Sequence, residues 1–213
     1  MSTSDNSLRL LRVFVVAKTI VHYYYMHTDG DDEDGRVSIE NIERVIELWK
    51  KIKINKYDVE WDGDTFRGVT ERYADGSANI YIRQPVPIEW DKYATVKEYS
   101  HLAYDGEEDF EPNPIKTMKD LIRFDGLGIS DDMTPAMVSE RFAEVLALEL
   151  IYPHEYRSID AERLKSGTPL KEIVQERHVP GVYIERATKD TYIEVCQEMW
   201  KNLPSFQLPP LEE

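Results

Sequence analysis

Between residues 57 and 84 the chain alternates apolar and polar residues, is rich in β-branched side chains, and is cut by Asp62-Gly63 and Asp75-Gly76. These dipeptides suit tight turns between strands, so the stretch predicts three short antiparallel strands, at 57–61, 65–73 and 77–83. Pro85 and Pro87 end the last one, because proline offers no donor to a ladder. On either side the apolar residues recur at helical spacing. One small β block set between helical blocks predicts an α+β fold, with a sheet of about three strands packed against helices.

The first helix is expected over 7–27, through Leu8, Leu11, Val15, Thr19 and His22, with Tyr23 and Tyr24 continuing its bulk. Arg9, Arg12, Lys18 and His22 interrupt this most apolar run. It therefore reads as a partly buried helix and not as a signal or a membrane anchor. A second helix starts behind Ser38 as N-cap and runs through Ile42, Val45, Ile46 and Trp49, with its end expected near Ile54-Asn55. A third begins near Trp90-Asp91. Residues 105–114 read as a loop and 115–124 as a short helix. Thr134-Pro135 is a strong helix start, and Pro153 stops that helix after Tyr152. Phe142, Leu146 and Leu150 line one stripe of it. Ala143, Ala147 and Ile151 lie beside that stripe, where the alanines would let another helix approach closely. Shorter elements are expected at 160–165, 169–177, 182–187 and 191–201, and the Pro-rich tail from Pro204 is expected to fray.

At 213 residues the chain suits one domain. Within it, helices are expected over 1–55, the sheet over 56–84, the helices carrying the candidate site over 90–153 and a C-terminal helical part over 154–213. Its 41 acidic and 26 basic side chains give a net charge of −15, which repels phosphate backbones and argues against direct nucleic-acid binding. A basic protein partner fits better. No membrane association is expected, and the protein reads as cytoplasmic. The lone Cys196 excludes an internal disulfide and a cysteine-cluster zinc site, and is expected to be a buried thiol.

Chemistry enters at Lys97-Glu98-Tyr99-Ser100-His101. In H-E-x-x-H two imidazoles four residues apart hold a metal on one helix face while the glutamate activates bound water. Here the glutamate and the second histidine are present, but Lys97 stands where the first histidine would be. The second pattern is Glu140-Arg141-Phe142-Ala143-Glu144-Val145-Leu146-Ala147-Leu148-Glu149-Leu150-Ile151-Tyr152-Pro153. It follows the form E-x-x-A-x-x-F-A-x-x-L-L-x-P, with Leu146 in the aromatic position. Together with the order of helices, small sheet, motif helix and glutamate helix, the chain resembles the ImmA/IrrE family of zinc metallopeptidases.

That resemblance implies a zincin-like fold, with His101 and Glu140 as metal ligands and Glu98 as general base. Lys97 matches no ligand. A catalytic zinc normally has three protein ligands and a water, so the site is degenerate and metal binding should be severely weakened. No cofactor is expected. The expected activity is non-hydrolytic binding of a protein partner, and the family's habits imply a transcriptional regulator. Two alternatives stand: an active zinc endopeptidase with a non-standard ligand set, and a structural interaction module with an accidental motif. Lys97 itself has two open placements. It either takes over the metal position, pairing with Glu140 or Glu98, or faces solvent on an ordinary amphipathic helix.

Three further features carry less. The acidic stretch 30–37 has EF-hand character only in its middle, lacking ligands at both ends of the loop, and reads as solvated charge. His154-Glu155 lacks a second histidine. Residues 169–187 suggest a helix-turn-helix without a basic recognition helix, hence a packing unit. Tyr81 and Ile82 either line a peptide groove by strand addition or are ordinary strand residues.

Overall fold

The computed structural model describes residues 3–27, 38–61, 67–106 and 134–203. The acidic stretch 30–37, the Asp62-Gly63 turn, most of the 105–114 loop, the helix expected at 115–124 and the tail from Pro204 lie outside them.

Helices α1 (Thr3–His27) and α2 (Ile39–Lys50) open the chain. Ser38 caps α2 as expected, its Oγ accepting from the Asn41 N–H, while Ile42, Val45 and Ile46 are buried. The helix ends earlier than expected. Lys51 turns left-handed and closes it, freeing Ile54 and Asn55 for a strand. In α1 the buried face matches the expected stripe only in part: Thr19, Tyr23 and Tyr24 are buried as expected, Val13, Phe14, Val16, Ala17 and Ile20 join them, Leu11 and Val15 are half-buried, and Leu8 and His22 are exposed. The run at 13–17 is apolar nearly throughout, so periodicity alone left two candidate faces, and packing on α2 and the later site helices selected one.

The strands are β1 (Lys53–Val59), β2 (Gly68–Arg72) and β3 (Ser77–Arg83). They form one sheet in the order β1-β3-β2, with β2 antiparallel and β1 parallel to β3. The sheet is therefore mixed, not purely antiparallel, and its first strand starts four residues before the expected one. The Asp75-Gly76 turn does make a tight hairpin: Gly76 has φ +82°, and the Ser77 N–H donates to Asp75 Oδ1. That hairpin joins β2 to β3. The most apolar strand, with Ala78, Ile80 and Ile82 fully buried, then takes the centre, and β1, exposing Lys53, Lys56 and Asp58, is left as an edge. Because β3 is paired on both sides, Tyr81 and Ile82 cannot accept an added strand. Tyr81 stacks on Tyr57 across the outer face, at 5.5 Å between ring centroids.

Two long helices follow, α3 (Ile88–Tyr104) and α4 (Pro135–Ile151). Thr134 Oγ1 caps α4 on the Met137 N–H with Pro135 in the first turn, as expected. Phe142, Ala143, Leu146, Ala147, Leu150 and Ile151 are all buried, and α3 is its principal neighbour. Four shorter helices follow among the described residues: α5 (His154–Lys165), α6 (Leu170–Arg177), α7 (Gly181–Ala187) and α8 (Asp190–Lys201). One hydrophobic core runs from Val13 on α1 to Cys196 on α8, so the fold is α+β, mostly helical with one small sheet. No described helix is long and apolar enough to cross a membrane.

An ion network ties α4 to the C-terminal helices. Arg157 is fully buried and donates to Glu149 Oε1 at 2.6 Å and to the Tyr152 carbonyl at 2.7 Å. Trp200 Nε1 donates to the other oxygen of Glu149 at 2.9 Å.

Candidate functional site

Helix α3 is buried on nearly every side from Tyr93 to Tyr104. It lies between α2, the sheet and α4, so its polar side chains must find partners inside the protein. Four of them build the site.

Lys97 and His101 stand four residues apart and both face α4. Lys97 Nζ lies 2.6 Å from Glu140 Oε2 and 3.4 Å from Glu98 Oε1. His101 Nε2 lies 3.3 Å from Glu140 Oε1, an ionic contact without the alignment of a hydrogen bond. Each oxygen of Glu140 thus faces one cationic side chain of α3. The side chains of Lys97, Glu98, His101 and Glu140 are 17%, 3%, 11% and 27% exposed, so only Glu140 reaches the rim.

Glu98 points the other way, toward the sheet. Its Oε2 accepts from Thr70 Oγ1 on β2 at 2.8 Å, and a Cβ added at Gly68 would stand 2.7 Å from both its Cγ and its Oε1. Glycine at 68 is what lets the carboxyl group lie flat against the strand. Glu98 Oε1 has no hydrogen-bond partner among the described residues and keeps only its ionic contact with Lys97.

His101 is held from behind. Its Nδ1 lies 2.9 Å from Asp105 Oδ2 and 3.1 Å from Ser139 Oγ, and Ser139 Oγ donates to Asp105. A carboxylate on one imidazole nitrogen fixes which way the other points. Burial alone would lower the His101 pKa, but Asp105 and Glu140 outweigh it and push it up to about 10. Lys97 behaves alike: burial opposes its charge, Glu140 and Glu98 restore it, and its pKa ends above the ordinary lysine range. Burial would raise Glu140, yet Lys97 and His101 hold it well below the usual carboxylate range.

The structure therefore brings together all four residues singled out from the sequence, and places Lys97 inward rather than in solvent. Asp105, Ser139, Thr70 and Gly68 went unrecognised. The His101–Asp105 spacing of one helical turn was the one signal available for any of them. His22, His154 and His178 lie on other elements; His154 stacks on Trp200, at 6.0 Å between centroids.

These residues do not fit a divalent metal. Only two candidate donors meet, His101 Nε2 and Glu140 Oε1, and an ammonium lies on the second carboxylate oxygen. Among the described residues no cluster of three or more His, Cys, Asp or Glu side chains is placed to hold a metal ion. What remains chemically is a buried charge cluster in which two cations meet the carboxyl groups of Glu98, Glu140 and Asp105.

Beside it stands an aromatic wall. Tyr183 of α7 stacks on Tyr93 at 3.9 Å between centroids, and its hydroxyl donates to Glu144 Oε1, one turn beyond Glu140. Arg186 and Arg141 close on the same Glu144.

The fold and the site define a mixed α+β protein with a sequestered ion cluster at a helix–helix contact. No protein-family model matches the chain, and no curated protein and no solved structure is significantly similar to it.

Proposed function

We propose that this chain is an ImmA/IrrE-like, zincin-fold protein in which a lysine has taken over the place of the metal, and that it acts by binding a protein partner without hydrolysing it. A transcriptional regulator is the partner class that the family likeness suggests, and a basic contact surface on it suits a chain of net charge −15.

One observation carries this reading: Lys97 Nζ sits 2.6 Å from Glu140 and 3.4 Å from Glu98. The family likeness makes these two carboxyl groups a zinc ligand and a general base. A cation at that point can hold α3 to α4 as a metal would, but it cannot polarise a peptide carbonyl or lower the pKa of a water. The fold would survive this exchange and the chemistry would not.

Metal analysis of the protein purified under zinc-replete conditions tests it. The expected result is no stoichiometric zinc in the wild type and about one equivalent in Lys97→His, lost again when His101→Ala is added. Stoichiometric zinc in the wild type, abolished by His101→Ala, would overturn the proposal. Failure of a folded Lys97→His to take up zinc would remove the family likeness instead.

A further inference from the structure

The ends of α2 and α3 and the β2–β3 hairpin border an open pocket of about 200 Å3, whose walls include Lys50, Ile52, Arg72, Tyr73, Leu102 and Asp105. Its charge runs against that of the chain. Although the protein carries 41 acidic side chains, neither cation at this cavity forms an ion pair with a carboxylate among the described residues. Lys50 Nζ lies over the Trp49 ring, 4.3 Å from its centroid. Arg72 donates to the backbone carbonyls of His101 and Asp105, which carry no net charge. The carboxyl group at the cavity, Asp105, is turned to His101 and Ser139.

Leaving two cations together beside a single carboxylate that is already engaged is costly. Burial lowers the Lys50 pKa, Arg12 and Arg72 lower it further, and Asp105 opposes them only in part. An anion supplied from outside would relieve this. The rest of the lining narrows its chemistry. Ile52, Leu102 and Ala78 are aliphatic. The turn offers no cradle of amides for a phosphate, since the Gly76 N–H donates to the Tyr73 carbonyl and the Ser77 N–H to Asp75. The volume is below the roughly 300 Å3 at which drug-sized pockets begin.

We infer that this cavity binds a small aliphatic carboxylate, its anionic end on Lys50 Nζ and the Arg72 guanidinium and its hydrocarbon end against Ile52 and Leu102. The inference does not depend on the zinc reading. It gives the protein a ligand site beside the Lys97 cluster, with Asp105 shared between the two.

Titration calorimetry of the full chain at low ionic strength tests it, with pentanoate, its neutral isostere pentanamide, and inorganic phosphate as probes. The expected result is saturable one-to-one binding of pentanoate, with pentanamide and phosphate at least tenfold weaker. Lys50→Met should weaken pentanoate at least tenfold and Lys50→Arg should largely restore it. Lys50 carries the test because Arg72 also holds two carbonyls, and circular dichroism melting confirms that each variant folds. Should Lys50→Met not fold, Lys50→Gln takes its place in the same titration. Equal binding of pentanamide, tighter binding of phosphate, no saturable binding of pentanoate, or undiminished binding by a folded Lys50 variant overturns the proposal.

Discussion

Replacing Lys97 by methionine removes one charge and nearly keeps the side chain's volume, so it isolates what the ammonium does. In wild type the Lys97–Glu140 contact is 2.6 Å long. At an effective dielectric of about 20, a unit pair at that distance is worth about 6 kcal/mol, and desolvation of the two ions offsets most of it. The intact pair therefore adds little net stability. Breaking it is different, because methionine leaves Glu140 and the 3%-exposed Glu98 facing a site with no ammonium. Loss of one partner from a buried pair costs about 3–5 kcal/mol. His101 stays beside Glu140, and Glu140 is itself 27% exposed, which places the expected loss near the lower end, about 3 kcal/mol. For a chain of 213 residues this is a fall in Tm of roughly 6–12 °C.

The loss has a pH signature. Lys97 and His101 hold the Glu140 pKa below the ordinary range, so the carboxylate contributes stability above about pH 4.5, and that contribution fades as pH falls toward its lowered folded value. Without the ammonium most of it is missing at pH 7 already. The gap between wild type and Lys97→Met should thus be widest at neutral pH and narrow below about pH 4. Urea unfolding followed by circular dichroism at pH 7 and pH 3 measures this, and the double variant Lys97→Met/Glu140→Gln closes the cycle. A coupling of at least about 1.5 kcal/mol is expected, since the two residues touch. If Lys97→Met lies within about 0.5 kcal/mol of wild type at pH 7, or the two substitutions are additive, the ammonium is not what reconciles these carboxylates.

Gly68→Ala should cost about 1–3 kcal/mol, because its Cβ would stand 2.7 Å from Glu98 Cγ; in a Glu98→Ala background, thermal melts should show that cost largely gone. Arg157→Met should destabilise by about 3–5 kcal/mol in urea titrations by stranding Glu149, and Arg157→Met/Glu149→Met should recover most of the loss. Cys196, whose thiol is pushed up to about 12 chiefly by burial, should resist iodoacetamide at pH 8 in the folded protein and react within minutes in urea, as mass spectrometry would read.

Local chemistry was legible wherever neighbours in sequence decide it. Ser38 and Thr134-Pro135 start their helices because a cap needs only the next turn, and the Asp75-Gly76 hairpin needs only its own backbone. The meeting of Lys97 with Glu140 was legible for another reason: both lie at offsets that the proposed ImmA/IrrE likeness assigns, and small residues on α4 mark a close contact. What escaped was settled between distant segments. Periodicity finds a strand but not its neighbour, so the parallel pairing of β1 with β3 could not be read from residues 53–83. Arg157 and Glu149 look like surface residues until α8 covers them with Trp200 and Cys196. Asp105 and Ser139 belong to one unit only because α4 lies along α3.

On the proposed reading Lys97 opposes zinc in two separable ways, by withholding a ligand and by placing a competing cation on Glu140 Oε2. Lys97→His reverses both, so zinc uptake by that variant cannot tell them apart. Lys97→Met reverses only the second, since a thioether is a poor zinc ligand. If competition dominates, Lys97→Met should approach Lys97→His in zinc affinity, with His101 and Glu140 holding the ion and water completing the shell. If ligand number dominates, it should stay close to wild type. The geometry favours ligand number. Two protein donors leave a zinc ion mostly hydrated, even though His101 Nε2 and Glu140 Oε1, 3.3 Å apart, are spaced as two ligands of one tetrahedral zinc would be. Competition titrations with a chelating dye at pH 7 should therefore place Lys97→Met within about tenfold of wild type and Lys97→His at least about a hundredfold tighter than both. Equal affinities for the methionine and histidine variants would refute this, and would make the lysine a blocker of an otherwise sufficient two-residue site.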